Sequence, residues 1–388
     1  MQHKARLILR RPDLTPVATI DDFYAFDCSR AENATGAFSC TMPMRDEYTG
    51  IEVDSAIEVQ RSFDGGATWE NDLRTIWFVR SLSIDQSEQG ETLTLGGHDA
   101  LGLLDRRLVA YFAVQNSELE QNYYSMKYQP ADDAMREIVR ENCTAAIQSV
   151  PADDLPGSVS VVGVQYKIIP GLTVEENTTR GPVVKAEIAW KTVSDALRTV
   201  ATASEEEGVR CLFDLDFDAE LRRMEFRVRR DLWGTDRTQE VVFSIANGNV
   251  SGLKMIRDHT QEVTWMHVGG DGQGDLRLFV AVKADPFAAS IYYPIEGYVD
   301  SQDSKNEQSV MEQDGRHELN LRAARWVFSA TALDTPWCRF GRHYFYGDRV
   351  MVRHRDVASV CRINKVRLTY TPDATVRVEV PLETEELI

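Results

Sequence analysis

Lysine is scarce in this sequence. Of 43 basic residues in a 388-residue chain, only nine are lysine. Arginine suits buried or interfacial ion pairs better than lysine does, because its planar fork matches a carboxylate and sheds water more readily. Basic charge is in deficit too: 61 acids give a net charge of −18, which disfavours gripping a nucleic-acid backbone. The same charge suits a smooth acidic wall past which DNA slides. Cysteine is sparse: Cys28, Cys40, Cys143, Cys211, Cys338 and Cys361 lie far apart with no C-x-x-C pair. That argues against a disulfide scaffold or a structural zinc site and for buried free thiols, with a Cys28–Cys40 bridge left open. No apolar run approaches the ~20 residues that span a bilayer. "MQHKARLILRRPD" lacks a signal-peptide core and reads as a first strand, so synthesis in a cytoplasm is expected.

What is present is β-pattern broken by turns. In the first ~110 residues, "ARLILRR", "TPVATI", "GAFSCTMP", "AIEVQRS", "TIWFVRSLSI" and "ETLTLGG" read as strands. Leu101, Leu104 and Leu108 then change to helical spacing. Residues 111–240 differ in texture. "QPADDAMREIVRENCTAAI" predicts a helix with Ala134, Ile138 and Ile147 on one stripe and Asp132 and Asp133 at its positive end. "KTVSDALRTVATASEEEG" predicts another, from about Thr192 to Gly208, and "VRCLFDLDFDAELRRMEFRVRR" a hairpin. From about 241 the β-pattern returns, with a helix expected at "RHELNLRAARWVFSATAL" and three closing strands. The fold class is α+β and β-rich, in three segments: 1–110, 111–240 and 241–388.

The chemistry-bearing patterns mostly describe shape. "RSFDGGATWEN" places Ser62, Asp64, Gly65, Gly66, Thr68 and Trp69 in the Asp-box spelling S-x-D-G-G-x-T-W, which many secreted glycosidases repeat. Here it lies between two strands, where Asp64 can accept backbone N–H groups and the glycines supply positive φ. It occurs once, whereas a propeller would repeat it every ~40–50 residues. These six residues are therefore expected to build a structural turn. Asp214, Asp216 and Asp218 alternate with Cys211, Phe213, Leu215 and Phe217, so an acidic, wet strand face is expected rather than a calcium loop. "GGDGQGD" precedes a strand instead of a helix and reads as a hairpin loop. Seven histidines show no metal spacing, and His98-Asp99 is expected to cap the helix that follows. No catalytic residue, cofactor or metal is assigned.

Several stretches in order carry a resemblance: "GAFSCTMP", "AIEVQRS", "TIWFVRSLSI", "LTLGGHDALGLLDRR", "YGDRVMV" and "INKVRLTYTPDATVRVEVPL". Together they resemble the tail-tip (baseplate) hub, or tail-associated, proteins of long-tailed bacteriophages. The family's frequent glycine is missing from "WFVR", and the Asp-box is foreign to it. The chain ends at "ETEELI" with no fibre, peptidase or lysozyme domain, which argues against a wall-degrading role.

The resemblance implies two tail-tube-like β-sandwich or barrel domains, 1–110 and 241–388, flanking an inserted mixed α/β segment, 111–240. Three chains would present six β-domains in a ring, a homotrimer beneath a sixfold tube. Its partners would be the distal tail protein, the tail tube, the tape-measure protein and tail fibres. DNA would pass without specific binding, and the chain would reside in the virion tail tip. The expected function is thus a structural, non-enzymatic hub. The rival from another class is a glycan-active protein, hydrolase or carbohydrate-binding module, with an Asp-box β fold. A receptor-binding role, with Tyr123, Tyr124, Tyr292 and Tyr293 as candidate contacts, is compatible with the hub.

Overall fold

The computed structural model describes residues 4–48, 50–88, 90–109, 124–144, 168–188, 191–272, 277–284, 291–301, 307–371 and 376–384. Alternation builds the first sheet directly. In Ala34–Pro43, Phe38, Cys40 and Met42 point inward while Ala37 and Ser39 face out. The neighbouring strands Ala25–Ala31 and Gly90–Asp99 pair with it antiparallel, Cys40 lying opposite Phe26 on one side and Leu95 on the other. This sheet has ten strands, and its order brings the C-terminal hairpin Lys365–Tyr370 and Val376–Glu379 against Ala25–Ala31.

A second sheet of six strands contains Val242–Phe243, Val250–Asp258, Arg325–Ala332, Arg349–His354, Val357–Arg362 and Pro381–Thr384. Neither large sheet closes into a barrel among the described residues. Both contribute to one core. Phe26, Phe38, Trp77 and Tyr370 form an aromatic cluster with ring centroids 5.5–6.2 Å apart, continuous with Phe243, Phe328, Phe340 and Tyr344. Aromatic contacts of this kind add to burial through edge-to-face packing.

The middle segment supplies helices α1 (Ala131–Val139) and α2 (Val193–Glu206), which pack on a second core with the hairpin Cys211–Asp218 and Arg223–Arg230. Thr192 caps α2 by accepting the Asp195 N–H at 3.1 Å, and Gly208 follows its end at φ 76°. The Ile147 position of the expected α1 stripe lies outside the described residues.

The third helix differs from expectation. α3 spans Gln308–Leu321: it includes Arg316–Leu321 of the expected helix but begins earlier, in the polar stretch "VDSQDSKNEQSVMEQDG", and "RWVFSATA" is the strand Arg325–Ala332. The polar stretch hides a sparse helical period: Met311, Gly315 and Leu319 are its buried positions, four residues apart. The aromatic and β-branched run after Arg325 is instead satisfied by pairing with Val250–Asp258. α3 covers a separate three-stranded sheet of Trp265–Gly269, Phe279–Lys283 and Glu296–Asp300, over a small third core.

Candidate functional site

The Asp-box residues sit between the strand Ala56–Ser62 and the short strand Glu70–Asn71, which pair with each other. Asp64 Oδ1 accepts the Ala67 and Thr68 N–H groups, both at 2.9 Å, and Oδ2 accepts the Thr68 hydroxyl at 2.6 Å. Ser62 Oγ donates to Asp64 Oδ1 at 2.7 Å and accepts the Gly66 N–H at 2.8 Å. Gly65 and Gly66 take φ of 83° and 104°, the region where a Cβ is strained. Trp69 Nε1 donates to the Gly66 carbonyl at 3.1 Å, and the Arg6 guanidinium lies 4.2 Å from the Trp69 ring centroid. The Thr68 hydroxyl and N–H, with Ser62, hold the Asp64 carboxyl well below the usual carboxylate range. Every polar atom of the motif named here points at another part of the same turn.

Next to that turn, three parts of the chain converge on a cleft of about 400 Å³. It is lined by Arg61, Phe63 and Asp72 from the first sheet, Trp233 and Arg237 from the end of the middle segment, and Phe345 and Asp348 from the C-terminal third. Arg61 pairs with Asp72 at 3.0 Å and donates to the Phe340 carbonyl at 2.7 Å, while Tyr370 donates to Asp72. Arg237 pairs with Asp348 at 2.7 Å, and Asp348 also accepts the Thr235 N–H. Beside the cleft, buried Arg30 pairs with buried Asp214 at 2.7 Å, its guanidinium 4.9 Å from the Tyr346 ring centroid. These are clamps between segments far apart in the chain, and each named carboxylate is already occupied by an arginine.

The expected wet acidic face of Asp214, Asp216 and Asp218 is therefore corrected. Asp214 is buried on Arg30, Asp216 pairs with Arg227 at 3.1 Å, and Asp218 accepts the Glu220 and Leu221 N–H groups in the hairpin turn. The face is covered because arginines from two other strands fold over it. His98-Asp99 is corrected as well. Asp99 precedes the short 3-10 helix Ala100–Arg106, but its side chain makes no cap hydrogen bond. Its carboxylate lies against Gly36, where an added Cβ would stand 2.7 Å from Oδ2. Burial and the nearby Asp214 charge push the Asp99 carboxyl up to about 7, against the pull of Arg30. His98 lies 2.7 Å from the Asp99 carbonyl through Nδ1 and 2.7 Å from Arg106 through Nε2. Burial lowers its pKa, which favours the neutral ring with Nδ1–H donating and Nε2 accepting.

α1 carries another clamp. Asp132 and Asp133 are in its first turn, yet they face inward to Arg136, which also reaches Glu175 at 2.8 Å. Burial opposes ionisation of Asp132, but bonds from Thr178, Arg136 and the Gly181 N–H outweigh it and hold the carboxyl at about 2. Of the tyrosines, Tyr292 is 86% exposed and Tyr293 donates to Glu262 at 2.6 Å. Tyr124 opens a strand paired to Val183–Ile188, and Tyr123 lies outside the described residues. All six cysteines are free and buried. Cys28 stands opposite Phe38 and Cys40 opposite Phe26, so the two thiols are not cross-strand partners.

Sequence reasoning missed Arg61, Asp72, Arg237 and Asp348 as a group. The available signal was the preference for arginine over lysine, which marks ion pairs without saying which residues meet.

The described chain therefore consists of two large open sheets on a common core, a helical middle segment and internal clamps between them. The family model described as "Siphovirus ReqiPepy6 Gp37-like protein" matches residues 6–382, and the chain belongs to that family. The family is thus one described from a siphovirus, a long-tailed bacteriophage. No curated protein matches the chain. Among solved structures, a tail protein from Neisseria meningitidis MC58 is similar at 12% identity and TM-score 0.53, over 100% of this chain and 98% of that one. The 43 kDa tail protein of prophage MuSo2 from Shewanella oneidensis aligns at 11% and 0.56, over 98% of both chains. Prophage tail protein gp18 from Listeria monocytogenes EGD-e aligns at 10% and 0.51, covering 98% of this chain and 95% of that one. At such identities the likeness is one of fold.

Proposed function

We propose that this chain is a structural tail-tip hub, three copies of which form a ring that docks beneath the tail tube and lines the channel for tape-measure protein and DNA. The observation that carries the reading is the presence, within one chain, of two large β-sheets on a shared core. Three chains then supply six sheets, which matches a threefold hub to a sixfold tube. In this reading 1–110 and 241–388 are the tube-type segments and 111–240 the insert, with Lys365–Tyr370 returning to complete the first sheet. The net charge of −18 supports a wall that repels DNA and does not hold it. The acids beside the cleft support a role without catalysis, since Asp72, Asp214 and Asp348 each serve an arginine. The Asp-box residues act as a folding turn. The partners are the distal tail protein, tail tube, tape-measure protein and tail fibres, and synthesis takes place in the host cytoplasm.

The test is an image of the virion with this chain tagged. Three copies on the tail axis at the tube's lower end are expected. A position on a peripheral fibre, or six copies per particle, overturns the hub.

A further inference from the structure

Two long strands stand at open sheet edges. In the first sheet, Trp77–Ser87 pairs along its inner side with Gly90–Asp99, but its outer side meets Ala56–Ser62 only at Phe78 and Trp77. From Arg80 to Ser87 the strand is exposed, and no described strand lies along it. In the second sheet, Val250–Asp258 ends the strand order and, among the described strands, pairs only with Arg325–Ala332. Each edge leaves a row of backbone N–H and C=O groups able to take another strand. They match in length at eight and nine residues, the shorter spanning about 27 Å.

The side chains are complementary too. Leu82 and Ile84 lie opposite fully buried Leu95 and Leu93, on the core side of their sheet, yet they remain 46% and 51% exposed. The apolar rows of the core thus run out to the edge uncovered. On the other strand Met255, opposite fully buried Phe328, presents the corresponding apolar side. On the outer face the first edge carries Asp85, with Glu88 and Glu91 at its turn. The second edge carries Lys254 on its outer face and Arg257 farther along. An antiparallel register that sets Asp85 opposite Lys254 also sets Ile84 opposite Met255, so opposite charges and apolar sides meet together.

We infer that Arg80–Ser87 of one chain adds as a strand to Val250–Asp258 of a second copy, head to tail, joining the first sheet of each chain to the second sheet of the next. This rests on the hub reading and names the contact that closes its ring. A head-to-tail contact forms a ring when the rotation closes.

The test is a charge swap read by mass photometry of the full chain at low and high salt. Asp85→Lys and Lys254→Glu each weaken the trimer about tenfold or more at low salt, and the double variant recovers assembly to within a few-fold of the parent. Gln86→Pro, which removes an outward N–H because its partner Glu91 bonds Met44 on the other side, abolishes the trimer while the melting curve shows the monomer folded. A trimer indifferent to both reversals, or a double variant no better than the singles, overturns the edge pairing and leaves the hub reading standing. A chain that stays monomeric at its highest soluble concentration overturns the pairing. The same monomer found off the tail axis in particles overturns the hub as well.

Discussion

The shared core beneath the two large sheets and the small core beneath α3 are built on opposite plans. The first gathers residues from across the whole sequence: Val366 pairs with Arg30, and Arg61 reaches the Phe340 carbonyl. The second is a local excursion between the paired strands Val250–Asp258 and Arg325–Ala332, and its six buried members lie between Val263 and Leu319. The large core is filled with aromatics and sealed by buried ion pairs. The small one covers one face of three short strands and leaves Phe279 and Tyr298 on the other, 58% and 48% exposed. Long-range contacts make the large body rise or fall as one unit, whereas the excursion can open by itself.

The largest effect should come from breaking a clamp. Arg61→Ala leaves Asp72 buried without its cation and is expected to cost about 3–5 kcal/mol. Equilibrium denaturation should show both large sheets lost in one transition. If one large sheet were lost while the other stayed intact, the unity of the body would be refuted.

Next in size is a pH effect at the same junction. Asp99 has a native pKa near 7, against ~3.9 in an unfolded chain. Between those values the native state keeps a proton that the unfolded chain has released, so stability falls as pH rises from about 4 to 7. The span is on the order of 4 kcal/mol as an upper bound, shared with the neighbouring Asp214. Asp99→Asn should flatten the decline in Tm between pH 5 and 8. An unchanged slope would show that Asp99 is not the group responsible.

The excursion is tested by Gly315→Val. An added Cβ there would stand 2.7 Å from Val268 and 2.9 Å from Val282, so α3 must lift from its sheet. The expected cost is about 1–3 kcal/mol. Hydrogen exchange should quicken in Trp265–Gly269 and Phe279–Lys283 and stay unchanged in Ala34–Pro43. Equal acceleration in both regions would erase the distinction between the two cores.

This contrast also explains what could be read in advance. Strand alternation and the Thr192 and Gly208 signals of α2 are local, and each exists in the sequence within a few residues of its effect. The α3 error shows the limit of local reading: three small or apolar positions in a polar stretch make a weak helix signal, and the strong run after it belongs to a strand whose partner lies about 70 residues earlier. Asp214 could not be recognised as buried because its cation, Arg30, comes from Ala25–Ala31, a strand of a different sheet far earlier in the chain. The division of the C-terminal strands between two sheets was hidden for the same reason. Lys365–Tyr370 and Pro381–Thr384 look alike in sequence and differ only in which distant strand they meet.

The smallest effect should be at the Asp-box, a local device attached to the non-local body. Asp64 is solvent-exposed, and its bonds all run within four residues, to Ser62, Ala67 and Thr68. Removing them frees the turn between Ser62 and Glu70 without uncovering the core. Asp64→Ala is therefore expected to lower Tm slightly and to loosen the pairing of Gln60 with Asn71. Because the Asp64 carboxyl is held below its ordinary range, its contribution is present above about pH 4 and lost as acid protonates it. The gap in Tm between parent and variant should accordingly narrow steadily as pH falls below about 4. A gap that does not narrow would mean that the side chain acts by packing rather than by charge. Loss of a sugar-directed activity at unchanged Tm would return the motif to the glycan-active reading.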